Sequence, residues 1–113
     1  MRVIEQFETI QGEGKYVGVP SYFIRTTGCN LRCAWKNPDN SITKCDTPYS
    51  SFSPEAGQEL NINETLSKLE KTAINDIVIT GGEPMLQKDI VQMVNIFGDA
   101  GYFITVETNG TIY

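Results

Sequence analysis

The sequence predicts an α/β domain built on a parallel sheet. Short apolar runs with β-forming residues alternate with stretches whose apolar residues recur at spacings of three and four. That order, strand, helix, strand, helix, strand, is the pattern of right-handed βαβ units. The run Ile77-Val78-Ile79-Thr80 is continuously apolar until its last residue, which suits a strand covered on both faces. A length of 113 residues holds one domain at most, and residues 1–113 are read as one unit.

Residues Val3 to Ile10 carry β-formers and end at Gln11-Gly12-Glu13-Gly14, a glycine-bracketed turn whose plainest reading is a solvent-exposed loop. Ser21 to Thr26 reads as a buried strand ending at Gly28. Residues 27–57 then look like one long loop containing Pro38, Pro48 and Pro54, and a loop of that length in a compact domain is more often functional than idle. A helix is predicted from about Asn63 to Ala73, with Leu66, Leu69 and Ala73 on one face and Asn61 or Asn63 as its cap. The strand Ile77–Thr80 follows, bounded by Gly81-Gly82. A second helix is expected from Leu86 to Gly98, with Ile90, Val94 and Phe97 inward, Val91 and Met93 widening that face, and Asp99-Ala100-Gly101 as the stop. Tyr102 to Glu107 forms the last strand. Functional groups in such sheets gather beyond the carboxyl ends of the strands. The loops Gly28-Cys29, Thr80-Gly81-Gly82-Glu83-Pro84 and Glu107-Thr108-Asn109-Gly110 are therefore expected on one rim.

Composition excludes several functions. Nine Lys plus Arg against 14 Asp plus Glu, a net charge of −5, leave no broad basic face for nucleic acid or anionic membrane. No stretch approaches the roughly 20 apolar residues of a membrane span, and Met1-Arg2-Val3 opens into alternation rather than an apolar signal core. The expectation is a cytoplasmic protein with small-molecule or protein partners. The absence of His removes Ser-His-Asp and Cys-His nucleophile systems, His-ligated zinc and an imidazole base. Chemistry here must use sulfur, carboxylates or a cofactor.

Three cysteines, Cys29, Cys33 and Cys45, form a C-x3-C pair just after a buried strand, with a third Cys in the same loop. An odd count cannot close into disulfides alone, and a reducing compartment keeps thiols available as ligands. Three thiolates suit a 4Fe-4S cluster with one iron left open. Structural zinc, completed by a carboxylate or a partner chain, and three inert buried thiols remain as alternatives on spacing alone.

The segment Phe23-Ile24-Arg25-Thr26-Thr27-Gly28-Cys29-Asn30-Leu31-Arg32-Cys33, followed by Thr80-Gly81-Gly82-Glu83-Pro84, resembles the radical S-adenosylmethionine (SAM) superfamily. Gln11-Gly12-Glu13-Gly14, Cys45-Asp46-Thr47 and Glu107-Thr108-Asn109-Gly110-Thr111, in that order, are similar to the 7-carboxy-7-deazaguanine synthase family within it. The resemblance covers essentially the whole chain. It implies a partial (β/α) barrel of the radical SAM type, of which this sequence reaches the third barrel strand. It also implies a 4Fe-4S cluster on Cys29, Cys33 and Cys45 and reductive cleavage of SAM. The resulting radical would convert 6-carboxy-5,6,7,8-tetrahydropterin to 7-carboxy-7-deazaguanine with loss of ammonia, as in queuosine biosynthesis. An electron donor such as flavodoxin or ferredoxin is implied as partner, with a homodimer among the assemblies open to it.

By position, the resemblance assigns Gly81, Gly82, Glu83, Glu107, Lys44 and Asp46 to SAM, with Glu83 taking its ammonium. It assigns Thr47 to Mg2+, and Ile10, Gln11, Gly12, Glu13, Arg25 and Thr80 to the pterin. Arg25 stands near the end of an otherwise apolar strand, where a planar cation can pair with a substrate carboxylate or form a structural ion pair. Gly81 and Gly82 would let the cofactor approach the backbone, or simply make a strand-to-helix turn closed by Pro84. The superfamily's usual C-x3-C-x2-C is expanded by nine residues, Lys36 to Lys44, and Lys44 stands where an aromatic is expected. Either Trp35 folds back over the adenine or Lys44 covers it with its aliphatic stem. An activating enzyme for glycyl radicals and a non-catalytic metal-binding fragment are the rival functions. A split enzyme and a degenerate homologue are the rival accounts of the length.

Overall fold

The computed structural model describes residues 1–45, 47–51 and 57–113. A five-stranded sheet organises them. Strand β1 (Arg2–Ile10) pairs antiparallel with β2 (Pro20–Thr26), which runs parallel to β6 (Asp76–Gly81), itself parallel to β7 (Phe103–Val106). A two-residue strand, β5 (Gln58–Glu59), adds antiparallel to β1, giving the order β5-β1-β2-β6-β7. Strands β2, β6 and β7 are the expected parallel set. The first strand is an antiparallel addition joined to β2 by the turn after Ile10.

Pleating sorts the side chains of the central strands onto two faces. Tyr22, Ile24, Ile77 and Ile79 point to the helical side, where they pack with Leu69, Met93 and Phe97; Ile24, Ile77, Ile79 and Phe97 are fully buried. Phe23, Arg25, Val78 and Thr80 occupy the other face. The parallel register sets Arg25 opposite Thr80 and Phe23 opposite Val78. The sequence thereby places a cation and a hydroxyl side by side at the carboxyl ends of β2 and β6.

Helix α2 spans Ile62–Glu70 and starts on Asn61, whose side chain accepts the Glu64 amide at 3.0 Å. It stops before the expected Ala73. Thr72 turns its hydroxyl onto the Leu69 carbonyl at 2.8 Å and accepts the Ile74 amide, a local bonding pattern that competes with further helical turns. The second long helix, α3 (Ile90–Asp99), begins four residues later than expected. Pro84–Leu86 instead form a 3-10 turn capped by Glu83, and Gln87 is extended. Tertiary bonds hold Gln87 there, its amide donating to the Thr27 carbonyl and its oxygen accepting the Arg2 amide. Within α3, Ile90, Met93 and Phe97 are buried and Val94 packs at the margin, whereas Val91 faces solvent.

The long segment after β2 is not featureless. The added residues, together with Trp35, fold as a hairpin in which β3 (Trp35–Lys36) pairs with β4 (Ile42–Thr43). Its turn is knit by Asn37, whose side chain reaches Ser41 and Thr43, and by Asp39, which accepts from Ser41. Asn40 takes the left-handed conformation there, which Asn tolerates better than most residues. A single helical turn, α1 (Pro48–Ser51), follows with Pro at its first position, and Thr47 accepts its first amides. No helix among the described residues is long and apolar enough to cross a membrane.

Candidate functional site

The three strand-end loops meet on one rim and are tied to one another. From β2, the Gly28 carbonyl accepts the Glu83 amide at 2.7 Å, and the Thr26 carbonyl accepts the Gly82 amide. Glu83, fully enclosed, turns its carboxylate toward the β7 loop. One oxygen accepts from Met85 N at 2.9 Å and Thr108 Oγ1 at 2.6 Å, and the other from Asn109 N at 2.7 Å. Asn109 donates to Asn30 Oδ1 at 2.9 Å, and Asn30 donates to Thr111 Oγ1 at 2.7 Å. The Cys29-Asn30 segment is thus laced to both other loops.

This packing explains the two glycines. A Cβ on Gly82 would lie 2.0 Å from the Gly28 carbonyl oxygen. One on Gly81, at φ +142°, would lie 2.4 Å from the Thr26 carbonyl oxygen. Their first role is close approach of β6 to the backbone of β2's loop.

On the sheet face opposite the helices, a cavity of about 460 Å³ is lined by Gly12, Glu13, Phe23, Arg25, Thr47, Thr80, Gly81 and Glu107. Seven of these eight, all but Phe23, are residues that the resemblance assigns to SAM, Mg2+ or the pterin. They come from the turn after β1, from β2, the cysteine loop, β6 and the end of β7. An adjoining cavity of about 570 Å³ shares Glu13 and Glu107 and adds Gln11, Gly82 and Asn109. Gln11 is not in an exposed loop. It is 3% exposed and donates to Ser21 Oγ at 2.9 Å, because its turn folds back on Val19. Ile10 stands apart, with 61% of its surface exposed and no place in either cavity.

Arg25 is gripped on the cavity wall. Its Nε donates to Glu5 Oε1 at 2.7 Å, and its guanidinium lies 5.8 Å from the Phe7 ring centre and 6.0 Å from that of Tyr49. Tyr49 donates its hydroxyl to the same Glu5 oxygen at 3.0 Å. Burial, and then that hydrogen bond, push the Tyr49 hydroxyl above its usual pKa.

The cysteines lie on this rim but are not gathered. None of the three is in a disulfide; Cys33 is exposed and the others half-buried. Among the described residues, no three Cys, Asp or Glu side chains stand close enough to share a metal ion. Residues 31–36 are all exposed, so little packing fixes the loop between the first two thiols; ligand binding itself commonly organises such sites. The donor set nonetheless fits a cluster held by thiolates. Cys29 Sγ accepts the Leu31 amide and Cys45 Sγ the Thr47 amide, each at 3.4 Å, and the Ser51 hydroxyl lies 3.3 Å from the Cys45 sulfur. Such bonds stabilise thiolate charge and tune cluster potential. Lys44 shares a small pocket with Arg32 and Cys33, whereas Trp35 is held in the hairpin opposite Thr43. Asp46 lies outside the described residues.

The sequence by itself points to no role for Glu5, Asn30, Tyr49, Thr108 or Asn109, although Asn30, Thr108 and Asn109 lie within the motifs. Glu5 is visible only once the β1–β2 register sets it across from Arg25.

Three parallel strands of a mixed sheet, with three thiols and a polar cavity at their carboxyl ends, define a class, the α/β proteins whose functional groups gather above the strand ends. The chain belongs to the radical SAM superfamily, whose family model matches residues 23–113. Among curated relatives, a 7-carboxy-7-deazaguanine synthase of Rhodopirellula baltica is 42% identical over 110 residues, 97% of this chain and 39% of that protein. One of Aquifex aeolicus is also 42% identical, over 96% of this chain and 45% of its own length. The crystal structure of QueE from Escherichia coli superposes with a TM-score of 0.79 at 28% identity, covering 98% of this chain and 53% of that one. The chain spans less than half the length of these curated relatives.

Proposed function

We propose that this chain forms the radical SAM core of an enzyme that converts 6-carboxy-5,6,7,8-tetrahydropterin to 7-carboxy-7-deazaguanine with loss of ammonia. The observation that carries the proposal is the cavity beside the cysteine loop, where Arg25, Thr47, Thr80, Glu13 and Glu107 converge from separate segments.

Cys29, Cys33 and Cys45 would hold a 4Fe-4S cluster as thiolates, with the Leu31 and Thr47 amides offsetting their charge. When bound, the cluster and SAM supply a radical able to take hydrogen from the substrate. Gly81 and Gly82 would present backbone groups to the amino-acid end of SAM. Glu83 has three of its roughly four acceptor positions filled, so a cofactor ammonium would take the remaining one or replace the Thr108 hydroxyl. Lys44, Asp46 and Glu107 would complete the cofactor contacts. Arg25 would take the substrate carboxylate through its guanidinium, and Thr47 would offer its hydroxyl to a Mg2+ shared with that carboxylate. Gln11, Gly12, Glu13 and Thr80 would meet the polar edge of the pterin. A one-electron donor of the flavodoxin or ferredoxin kind and a cytoplasmic setting that keeps the thiols reduced complete the proposal.

The test is anaerobic reconstitution followed by incubation with dithionite, SAM and the tetrahydropterin. Deoxyadenosine together with 7-carboxy-7-deazaguanine is expected. Deoxyadenosine alone keeps the radical chemistry and rejects the substrate, and the absence of both rejects the site.

A further inference from the structure

We infer that Glu5 and Tyr49 are positioning residues that lock Arg25 as a carboxylate-reading fork, so that the cavity selects a heterocycle bearing a carboxylate over the same ring without one. The inference deepens the proposal above and rests on its assignment of Arg25.

Five of the seven residues of β2 are buried, and Arg25 is its one charged residue. A long arginine side chain has many rotamers, and that freedom must be restrained before it can recognise anything geometrically. Here the restraint comes from several directions. Glu5, its cross-strand partner, takes Nε and fixes the guanidinium plane, while the Phe7 and Tyr49 rings lie against the cation. A single oxygen of Glu5 receives both the Arg25 Nε–H and the Tyr49 hydroxyl, so β1, β2 and α1 are pinned at one atom. Tyr49 follows Thr47 by two residues, and Thr47 lines the same cavity as Arg25. The two walls that would face a ligand carboxylate are thus held in register through Glu5.

Stability alone does not account for the arrangement. Glu5 is 41% exposed, and ion pairs at such positions contribute little to folding. Glu5 on Arg25, with Glu13 and Glu107 on the same cavity, leaves no net positive charge to attract anions indiscriminately, so recognition rests on a planar carboxylate engaging the guanidinium rather than on a single-point anion.

The experiment is a fluorescence titration of the chain, without iron or SAM, using 6-carboxypterin and unsubstituted pterin in magnesium-containing buffer. The wild type is expected to prefer 6-carboxypterin by about tenfold or more, as for a charge-assisted carboxylate contact. Tyr49→Phe keeps the ring and removes one hydrogen bond; it should cut that ratio severalfold while melting close to wild type. Glu5→Ala should bring the ratio near one. Glu5→Gln retains an oxygen that can accept from both partners and should restore most of the preference. If Tyr49→Phe and Glu5→Ala keep the wild-type ratio, the positioning role is overturned and the assignment of Arg25 survives. If the wild type shows no preference, the assignment of Arg25 falls and this inference with it.

Discussion

The Glu83 carboxylate accepts the backbone amide of Asn109 at 2.7 Å across the gap between the loops that follow β6 and β7. With Thr108 on its other oxygen, this buried acid joins the ends of two neighbouring parallel strands. Glu83→Gln would turn an amide N–H2 toward existing donors. A loss of about 1–3 kcal/mol is expected, read as a lower urea midpoint with an unchanged slope. An unchanged midpoint would show that the loops hold together without the acid.

Two glycine substitutions should have opposite signs. Gly82→Ala drives a methyl into the Gly28 carbonyl and is expected to destabilise by about 1–3 kcal/mol. Gly98→Ala lies within α3 with open space around the new Cβ and should stabilise by about 0.5–1 kcal/mol. Thermal unfolding of the pair provides an internally controlled check.

Alkaline stability should depend on Tyr22. Burial raises its pKa above the ordinary 10, and the effect outweighs Lys68 on α2, while Glu8 on β1 and Glu64 on α2 act in the same direction as burial. The neutral phenol is the form the fold favours. Its contribution is therefore complete below about pH 10, the unfolded value, and is lost as pH rises through the higher folded value. Tyr22→Phe should flatten the fall in unfolding free energy above pH 10, measured by urea titration from pH 8 to 11.

Arg25→Ala should weaken binding of the carboxylated pterin about tenfold or more, while leaving SAM cleavage in the absence of substrate within about twofold. Arg25→Lys should not restore binding, because an ammonium cannot offer two parallel donors. Equal losses of binding and of uncoupled cleavage would mark Arg25 as structural.

The parallel strands and the shared rim were legible in the sequence because they follow from local pattern, the apolar run at Ile77–Ile79 and the turn glycines, whereas Gly12, Glu13, Arg25, Thr47, Thr80 and Glu107 took their roles from the family resemblance. What was not legible depends on register or on distant partners. The late start of α3 follows from Gln87 bonding to Thr27 and Arg2, contacts across 60 and 85 residues. The nine added residues contain no strong strand signal, yet with Trp35 they form the β3–β4 hairpin, whose turn the side chains of Asn37 and Asp39 hold. Glu5 became meaningful only opposite Arg25. The glycine pair was recognised, but its packing against Thr26 and Gly28 could be seen only in three dimensions.

On the proposed reading, Cys29, Cys33 and Cys45 would hold one cluster with an iron open to SAM. The most direct measurement is the electron paramagnetic resonance spectrum of the reconstituted, dithionite-reduced protein with and without SAM. A 4Fe-4S signal that changes on adding SAM and is lost in Cys45→Ala is the predicted result. A spectrum indifferent to SAM, or a cluster signal that survives Cys45→Ala unchanged, would contradict it.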